Sequence, residues 1–216
     1  MVGSRSPGIA CPTTSRGVDR GTLCTIRSYT PELHGTRPAE STKRVRFAAL
    51  WAGYPSTKPY LDPKTGSPPK GFENQCAIKV SVALHAVGID MKSYRGSQVV
   101  VEGKPAATRA TELAAWLNSQ YLPSLPVHGQ TVTGEDWQKK VKGRTGIIYF
   151  ANYWARPGEA AAPSGDHIDL WNGSRLTATG LEGVIVDFLR FGLDIQSGPG
   201  FSNLGKATTI LFLEVQ

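Results

Sequence analysis

The spacing of apolar residues changes along this chain, from helical in the first half to alternating or continuous in the second half. Helical spacing predicts helices at 46–54, 73–87, 111–117, 135–142 and 181–191. We expect Thr108 or Thr111 to cap the third of these helices. Apolar runs of strand length predict strands at 99–101, 145–151, 167–171 and 208–215. Because most helices precede the strands, we expect an α+β domain in which N-terminal helices pack on a central antiparallel sheet.

Positive charge is concentrated near the N-terminus. The chain has 216 residues and a formal net charge of +7, and residues 1–46 supply +5 of it from eight Lys or Arg and three Asp or Glu. This segment is rich in Ser, Thr, Pro and Gly and has no helical or strand period. We therefore expect a flexible arm at 1–44 and a folded domain at 45–216. The arm is a solvated tail, an over-extended start of the coding region, or a docking or export segment.

Several functional classes are not expected. Residues 47–216, nearly the whole predicted domain, carry only +2, which argues against a nucleic-acid-binding core. No apolar run approaches the roughly 18 to 20 residues of a membrane helix, so membrane insertion is not expected. The first thirty residues also lack the apolar segment, about 7 to 15 residues long, of a secretory signal. Three cysteines without a Cys-x-x-Cys pair indicate neither a disulfide framework nor a zinc site.

Cys76 is the candidate nucleophile. We expect it in the first turn of a helix that Asn74 caps and that ends before Gly88. The partial positive charge of a helix N-terminus favours the thiolate, which is the nucleophilic form of cysteine. The helix has an apolar face that would put the sulfur at the edge of the core: Cys76, Val80, Ala83 and Val87. The alternative is that Cys76 is a small buried hydrophobic residue.

A cysteine nucleophile needs a base, and His167 is the candidate. It begins a predicted strand just after a polar turn, where a ring can face a cleft. His34 lies in the arm, His85 falls on the side of the helix opposite Cys76, and His128 follows a Pro-rich loop. Strand alternation puts His167, Asp169 and Trp171 on one face of the sheet. The alternative is a partly exposed strand histidine without a catalytic role.

Two segments carry a resemblance to a known family. The sequences Glu-Asn-Gln-Cys-Ala-Ile-Lys-Val-Ser at 73–81 and Gly-Asp-His-Ile-Asp-Leu-Trp-Asn-Gly-Ser at 165–174 resemble the fourth family of type VI secretion amidase effectors. That family is related to the NlpC/P60 and papain-like cysteine hydrolases. The likeness covers roughly 45–216 and leaves the arm unmatched. It implies an NlpC/P60-like fold and a peptidoglycan amidase that cuts stem peptides between γ-D-glutamate and meso-diaminopimelate.

The resemblance implies that Cys76 is the nucleophile and His167 the base. The family's third member is an aspartate about eleven residues after the histidine, where this chain has Ala178. The candidates to replace it are Asp169, then Asn172 and Asp187. Two residues along a strand are separated by about 6.6 Å, a distance over which the Asp169 carboxylate could lean back to the imidazole. A solvated surface aspartate is the alternative for Asp169.

Further roles follow from the position of Cys76. Its backbone N–H, together with the Gln75 side chain, is expected to hold the oxyanion, although Gln75 could instead be a solvent-facing helix residue. Trp171, Tyr149 and Trp154 are expected either to line a groove for the stem peptide or to pack in the core. No metal or cofactor is needed for this chemistry.

The resemblance also implies partners and a location. The protein would be made in the bacterial cytoplasm, secreted by the type VI machinery and active in the periplasm of rival cells, while a cognate immunity protein protects the producer. Two alternatives stay open from the residues themselves. One is a related Cys/His hydrolase or acyltransferase that acts on another substrate, and the other is a catalytically inactive binding module.

Overall fold

The computed structural model describes residues 45–122, 125–126, 128–154, 163–177 and 202–216. Its helices are α1 (Phe47–Ala52), α2 (Cys76–Ala86), α3 (Ala110–Ser119) and α4 (Trp137–Lys140), with a short 3-10 helix at Leu204–Lys206. Its strands are β1 (Gln98–Val101), β2 (Lys104–Ala107), β3 (Gln130–Thr131), β4 (Gly146–Trp154), β5 (Gly165–Trp171) and β6 (Thr209–Glu214). The predicted arm and the helix predicted at 181–191 lie outside the described residues, so the boundary at 44 stays a prediction.

The larger sheet of the described chain is antiparallel, with the strand order β3-β6-β4-β5. Strand β4 lies inside this sheet, with Ile148 opposite both Asp169 on β5 and Phe212 on β6. Its first six residues are buried, as their apolar run predicts. Strand β5 lies at the edge of the described sheet, so alternate backbone N–H groups of β5 face away from β4.

Two hydrophobic clusters cover the two faces of this sheet. On one face, α2 and α3 pack against Ile147, Ile168 and Leu170. On the other face, Ile148, Phe150 and Trp171 pack with α4 and β6. Because strand side chains alternate between faces, the same three strands supply residues to both clusters. The predicted α+β architecture, with helices packed on a central antiparallel sheet, is confirmed.

A separate two-stranded hairpin of β1 and β2 packs beside α2. Its two-residue turn has positive φ angles at Glu102 (49°) and Gly103 (77°), as a type I′ turn requires. The buried Ser81 of α2 accepts the Ala107 backbone N–H at 3.0 Å and so ties the hairpin to the helix.

The end of α2 agrees with its prediction, but its start does not. Gly88 has φ +84° directly after the helix, a backbone conformation that glycine adopts without strain. The helix begins at Cys76 with Gln75 as its N-cap residue, so the predicted cap at Asn74 was wrong by one residue. The predicted caps at Thr108 or Thr111 were also wrong, because α3 begins after Arg109.

None of the helices in the described ranges is both long and apolar enough to cross a membrane.

Candidate active site

Cys76 is the first residue of α2, and its side chain is half-buried against the helix-side cluster. The sulfur forms a hydrogen bond with the His167 imidazole on β5. It also accepts the backbone N–H of Ile168, a group that the edge position of β5 leaves free of a strand partner. The start of one helix and the edge of one strand therefore bring nucleophile and base together.

The other side of the His167 ring faces Asp169. Nε2 lies 3.2 Å from Oδ2 of Asp169, two residues further along the same strand. Because Nε2 is engaged by the carboxylate, Nδ1 is the ring nitrogen that remains for the Cys76 sulfur. The ring stacks on Phe150, with 6.5 Å between centroids and 23° between planes. The imidazole is thus held on three sides.

The electrostatics of the site favour a thiolate and an imidazolium. Burial alone would raise the pKa of the Cys76 thiol, but the hydrogen bond and charge of His167 and the Ile168 N–H together lower it below its ordinary value of 9.0. Burial would lower the pKa of His167, but its hydrogen bonds with Asp169 and Cys76 raise it well above 6.5. Near neutral pH, these opposite shifts favour the ion pair over the neutral pair.

Asp169 is held by groups from several parts of the chain. Its side chain is only 4% exposed, and Oδ1 accepts the Leu170 backbone N–H at 2.8 Å and the Thr177 hydroxyl. The Tyr54 hydroxyl, just beyond α1, hydrogen-bonds to both Asp169 and Thr177, and burial together with the Asp169 charge raises the pKa of Tyr54 well above its ordinary value. A carboxylate fixed in this way can orient the imidazole.

Asn172, the next candidate for the third position, uses its side chain in a local turn. The Asn172 Oδ1 accepts the backbone N–H groups of Ser174 and Arg175 at 3.1 and 2.9 Å, which closes a local turn. Ala178 and Asp187 lie outside the described residues. Asp169 is the carboxylate that the described structure brings to His167.

Gln75 is buried, and its amide is used by the loop that precedes α2. Its Oε1 accepts the Tyr60 backbone N–H at 3.0 Å, and its Nε2 donates to the carbonyls of Tyr60 and Phe72 at 2.6 and 3.1 Å. Both amide hydrogens are therefore engaged, which does not favour the oxyanion role predicted for this side chain. Gln75 anchors the loop at the foot of the helix instead.

Trp171 shares a sheet face with His167 but is 2% exposed. Its ring packs edge-on against Trp137 with 5.2 Å between centroids, and Nε1 donates to the Val141 carbonyl at 2.9 Å. Tyr149 is also buried, and its hydroxyl donates to Thr111 Oγ1 at 3.2 Å. Both rings are core side chains here, which does not favour the groove role predicted for them.

The other two histidines of the described ranges have backbone partners. The Nε2 of His85 lies 2.7 Å from the Pro105 carbonyl, and the Nδ1 of His128 lies 3.0 Å from the Asn118 carbonyl. Trp154 is half-buried, and its indole packs directly on Gly165. A Cβ added at Gly165 would lie only 2.1 Å from the indole Nε1, so no larger residue fits there without a shift.

Three residues around Asp169 were missed at the level of sequence. They are Tyr54, Thr177 and Lys79, of which Lys79 is a lysine only 6% exposed on α2. For Lys79, the available signal was a charged residue among apolar neighbours one turn after Cys76. No local signal marked Tyr54 or Thr177, because their partner is distant in sequence.

The described ranges hold no group of three or more His, Cys, Asp or Glu side chains placed to bind a metal ion.

Residues 72–213 match the family model described as type VI secretion system (T6SS), amidase effector protein 4. The matched span includes Cys76, His167 and Asp169. It extends over more than half of the chain. No curated protein matches the chain.

Several solved structures have a similar fold. The effector–immunity system Tae4/Tai4 from Salmonella typhimurium aligns with a TM-score of 0.52 and 16% identity, over 80% of this chain and 99% of that chain. The type VI effector Tae4 from Enterobacter cloacae aligns with a TM-score of 0.50 and 17% identity, over 80% of this chain and 98% of that chain. At these identities the likeness concerns the fold, which is NlpC/P60-like and papain-like.

Proposed function

This chain belongs to the family of type VI secretion system amidase effector protein 4, and we propose that its nucleophile is Cys76, its base His167 and its third catalytic group Asp169. The family consists of hydrolases that act on peptidoglycan, so the reaction is cleavage of an amide bond. The observation that carries the assignment is the continuous hydrogen-bonded series from Cys76 through His167 to Asp169.

The reaction begins with attack of the Cys76 thiolate on the amide carbonyl carbon. A carbon–sulfur bond forms, and the negative charge moves to the carbonyl oxygen. The backbone N–H of Cys76, the first of α2, has no partner within the helix and is the proposed donor to this oxyanion. The Gln75 side chain is not part of this proposal, because the loop uses its amide.

His167 then moves the protons. The imidazolium gives its proton to the leaving amine as the carbon–nitrogen bond breaks, which leaves a thioester on Cys76. Neutral His167 next takes a proton from water, whose oxygen attacks the thioester and releases the carboxylic acid and the thiolate. Asp169 keeps the ring oriented and stabilises the imidazolium in both steps.

We assign the bond between γ-D-glutamate and meso-diaminopimelate of peptidoglycan stem peptides as the substrate of this chain. Support for this bond is the resemblance of the two segments around Cys76 and His167 to the family's sequences. The test incubates purified protein with isolated Gram-negative sacculi and identifies the released peptides by mass spectrometry. We expect fragments with a new free amine on diaminopimelate.

The matched variants are Cys76→Ala, which removes the nucleophile, and Cys24→Ala, which removes a thiol from the predicted arm. Cys76→Ala should release nothing above background, whereas Cys24→Ala should act like the native chain. Equal release by the native chain and Cys76→Ala would reject the assignment. Release that depends on Cys76 but leaves a different new terminus would reject the bond and keep the mechanism.

We also assign a cognate immunity protein to the producing cell and the periplasm of the target cell as the site of action. Support comes from a solved structure of similar fold, the effector–immunity system Tae4/Tai4 from Salmonella typhimurium. The test expresses the chain in a Gram-negative host with and without a periplasmic export signal. Lysis is expected only on export, only with Cys76 present, and not when the producer's immunity protein is co-exported. Lysis without export would contradict this location.

A further inference from the structure

Lys79 is a buried charge for which the proposed mechanism has no use. It lies on α2, three residues after Cys76 and therefore on a neighbouring part of the same helix surface, and it is 6% exposed. Lysine is almost never buried to this degree unless its charge is compensated, because the ammonium loses its hydration. The position of Lys79 thus needs a compensating group nearby.

The contacts of Lys79 connect it, through Tyr54, to the carboxylate that orients His167. Its Nζ lies 6.0 Å from the centroid of the Tyr54 ring, within the range of a cation–π contact. The hydroxyl of that same tyrosine hydrogen-bonds to Asp169, which is itself 3% exposed. One buried polar group therefore adjoins His167 through its contact with Asp169, and its members are Lys79, Tyr54 and Asp169.

Counting Lys79 brings the formal charges of these buried groups to zero. The Cys76 thiolate and the His167 imidazolium cancel each other, whereas the Asp169 carboxylate adds a further negative charge in a place that water hardly reaches. An uncompensated buried carboxylate is costly and makes the approach of a second anion, the thiolate, less favourable. The ammonium of Lys79 restores neutrality.

Resting on the proposed function, we propose that Lys79 is a positioning residue whose ammonium balances the Asp169 carboxylate and thereby keeps the Cys76 thiolate and the His167 imidazolium as an ion pair. The direction of the Lys79 titration is consistent with this role. Burial lowers the pKa of Lys79, and the charges of Asp169 and Cys76 act against that effect, while nearby Lys58 adds to it.

The first test measures ionisation of Cys76 without any substrate. Iodoacetamide is used to alkylate three proteins over a range of pH: the native chain, Lys79→Met and the conservative Lys79→Arg. Peptide mass spectrometry then quantifies the modification of Cys76. On the rising part of the native profile, Lys79→Met should react about threefold more slowly, because loss of the cation raises the pKa of the thiol. Lys79→Arg should restore the native rate. An unchanged profile in Lys79→Met would overturn the inference.

A second test is a double-mutant cycle with Asp169. In the native background, Lys79→Met should lower the melting temperature by about 3 °C, and in an Asp169→Asn background it should change it by about 1 °C or less. A lysine buried only for packing would give the same change in both backgrounds, and that result would overturn the inference. If Lys79→Met does not fold, Lys79→Gln gives the same comparison with the same two outcomes.

These tests separate the inference from the proposed function. A native Cys76 that alkylates only near pH 9, like an ordinary thiol, would reject the ion pair and the proposed function with it. A native Cys76 that ionises at lower pH in a Lys79-dependent way supports the inference even if the protein releases no peptides from sacculi. Peptide release with a profile that ignores Lys79 rejects the inference alone.

Discussion

The imidazole of His167 and the carboxylate of Asp169, two residues apart on one strand, are 3.2 Å apart between Nε2 and Oδ2. Their Cα atoms are separated by about 6.6 Å, so the carboxylate must lean along the strand to reach the ring. The hydroxyl of Thr177 and the backbone N–H of Leu170 hold it in that position. The histidine is therefore oriented by a neighbour on its own strand.

We predict that Asp169→Asn lowers kcat/KM on sacculi by about 10³-fold and leaves the fold intact, because the amide can neither fix the required tautomer nor stabilise the imidazolium. Asn172→Ala is the matched control, since its side chain closes a turn away from the ring. Steady-state kinetics and circular dichroism measure both effects. Near-native turnover of Asp169→Asn would move the orienting role to another residue.

The pH dependence of kcat/KM should be bell-shaped, because the active form needs both a thiolate and an imidazolium. The acid limb should lie below 9.0, since the pKa of Cys76 is lowered, and the alkaline limb above 6.5, since the pKa of His167 is raised. Asp169→Asn removes a charge that raises both pKa values, so both limbs should move to lower pH. An alkaline limb that does not move would contradict the assigned role of Asp169.

Gln75→Ala should destabilise the protein by about 1–3 kcal/mol, because it leaves backbone groups of Tyr60 and Phe72 without partners. We expect kcat/KM per folded molecule to stay within about threefold of native. Chemical denaturation and titration of active sites separate the two quantities, and the exposed neighbour Asn74 supplies the control Asn74→Ala. A loss of about 10²-fold or more in turnover of folded enzyme would restore the oxyanion role.

Trp171→Phe should cost about 1–3 kcal/mol of stability, because the smaller ring packs less fully against Trp137 and cannot donate a hydrogen bond to the Val141 carbonyl. KM for stem peptides should not change, since Trp171 packs against Trp137 in the core rather than at the cleft. Thermal unfolding and kinetics on soluble stem peptides measure the two quantities. A clear rise in KM at native stability would contradict this placement.

Local patterns predicted the elements that carry the site. A cysteine at the start of a helix with an apolar face and a histidine in an alternating strand are signals that lie within about ten residues, and α2 and β5 formed where those signals indicated. Alternation also predicted that Asp169 shares the face of His167. Alternation cannot predict which parts of the chain pack against that face. Trp171 is buried because Trp137, from a helix distant in sequence, packs against it.

The errors at the helix starts have a related physical cause. Capping rules treat each helix end as an isolated segment, for which Asn74 or Thr111 supplies a suitable oxygen. In the folded chain neither side chain caps its helix, because the helices begin at other residues. Thr111 instead hydrogen-bonds to Asp166 at the start of β5. Likewise, the partners of Asp169 at Tyr54 and Thr177 arise from tertiary packing, which no local spacing encodes.

Because His167 and Asp169 occupy positions i and i+2 of β5, the base and its orienting group move together as one unit of the strand. A shift of the strand by one residue would replace both at once with Ile168 and Leu170, so catalysis would be lost in a single step rather than gradually weakened. For the same reason, the His-x-Asp pair could be transferred to other proteins. Any edge strand that faces a helix start and carries His-x-Asp on its outward pleat, with a hydroxyl to hold the carboxylate, offers a starting point for a designed cysteine hydrolase.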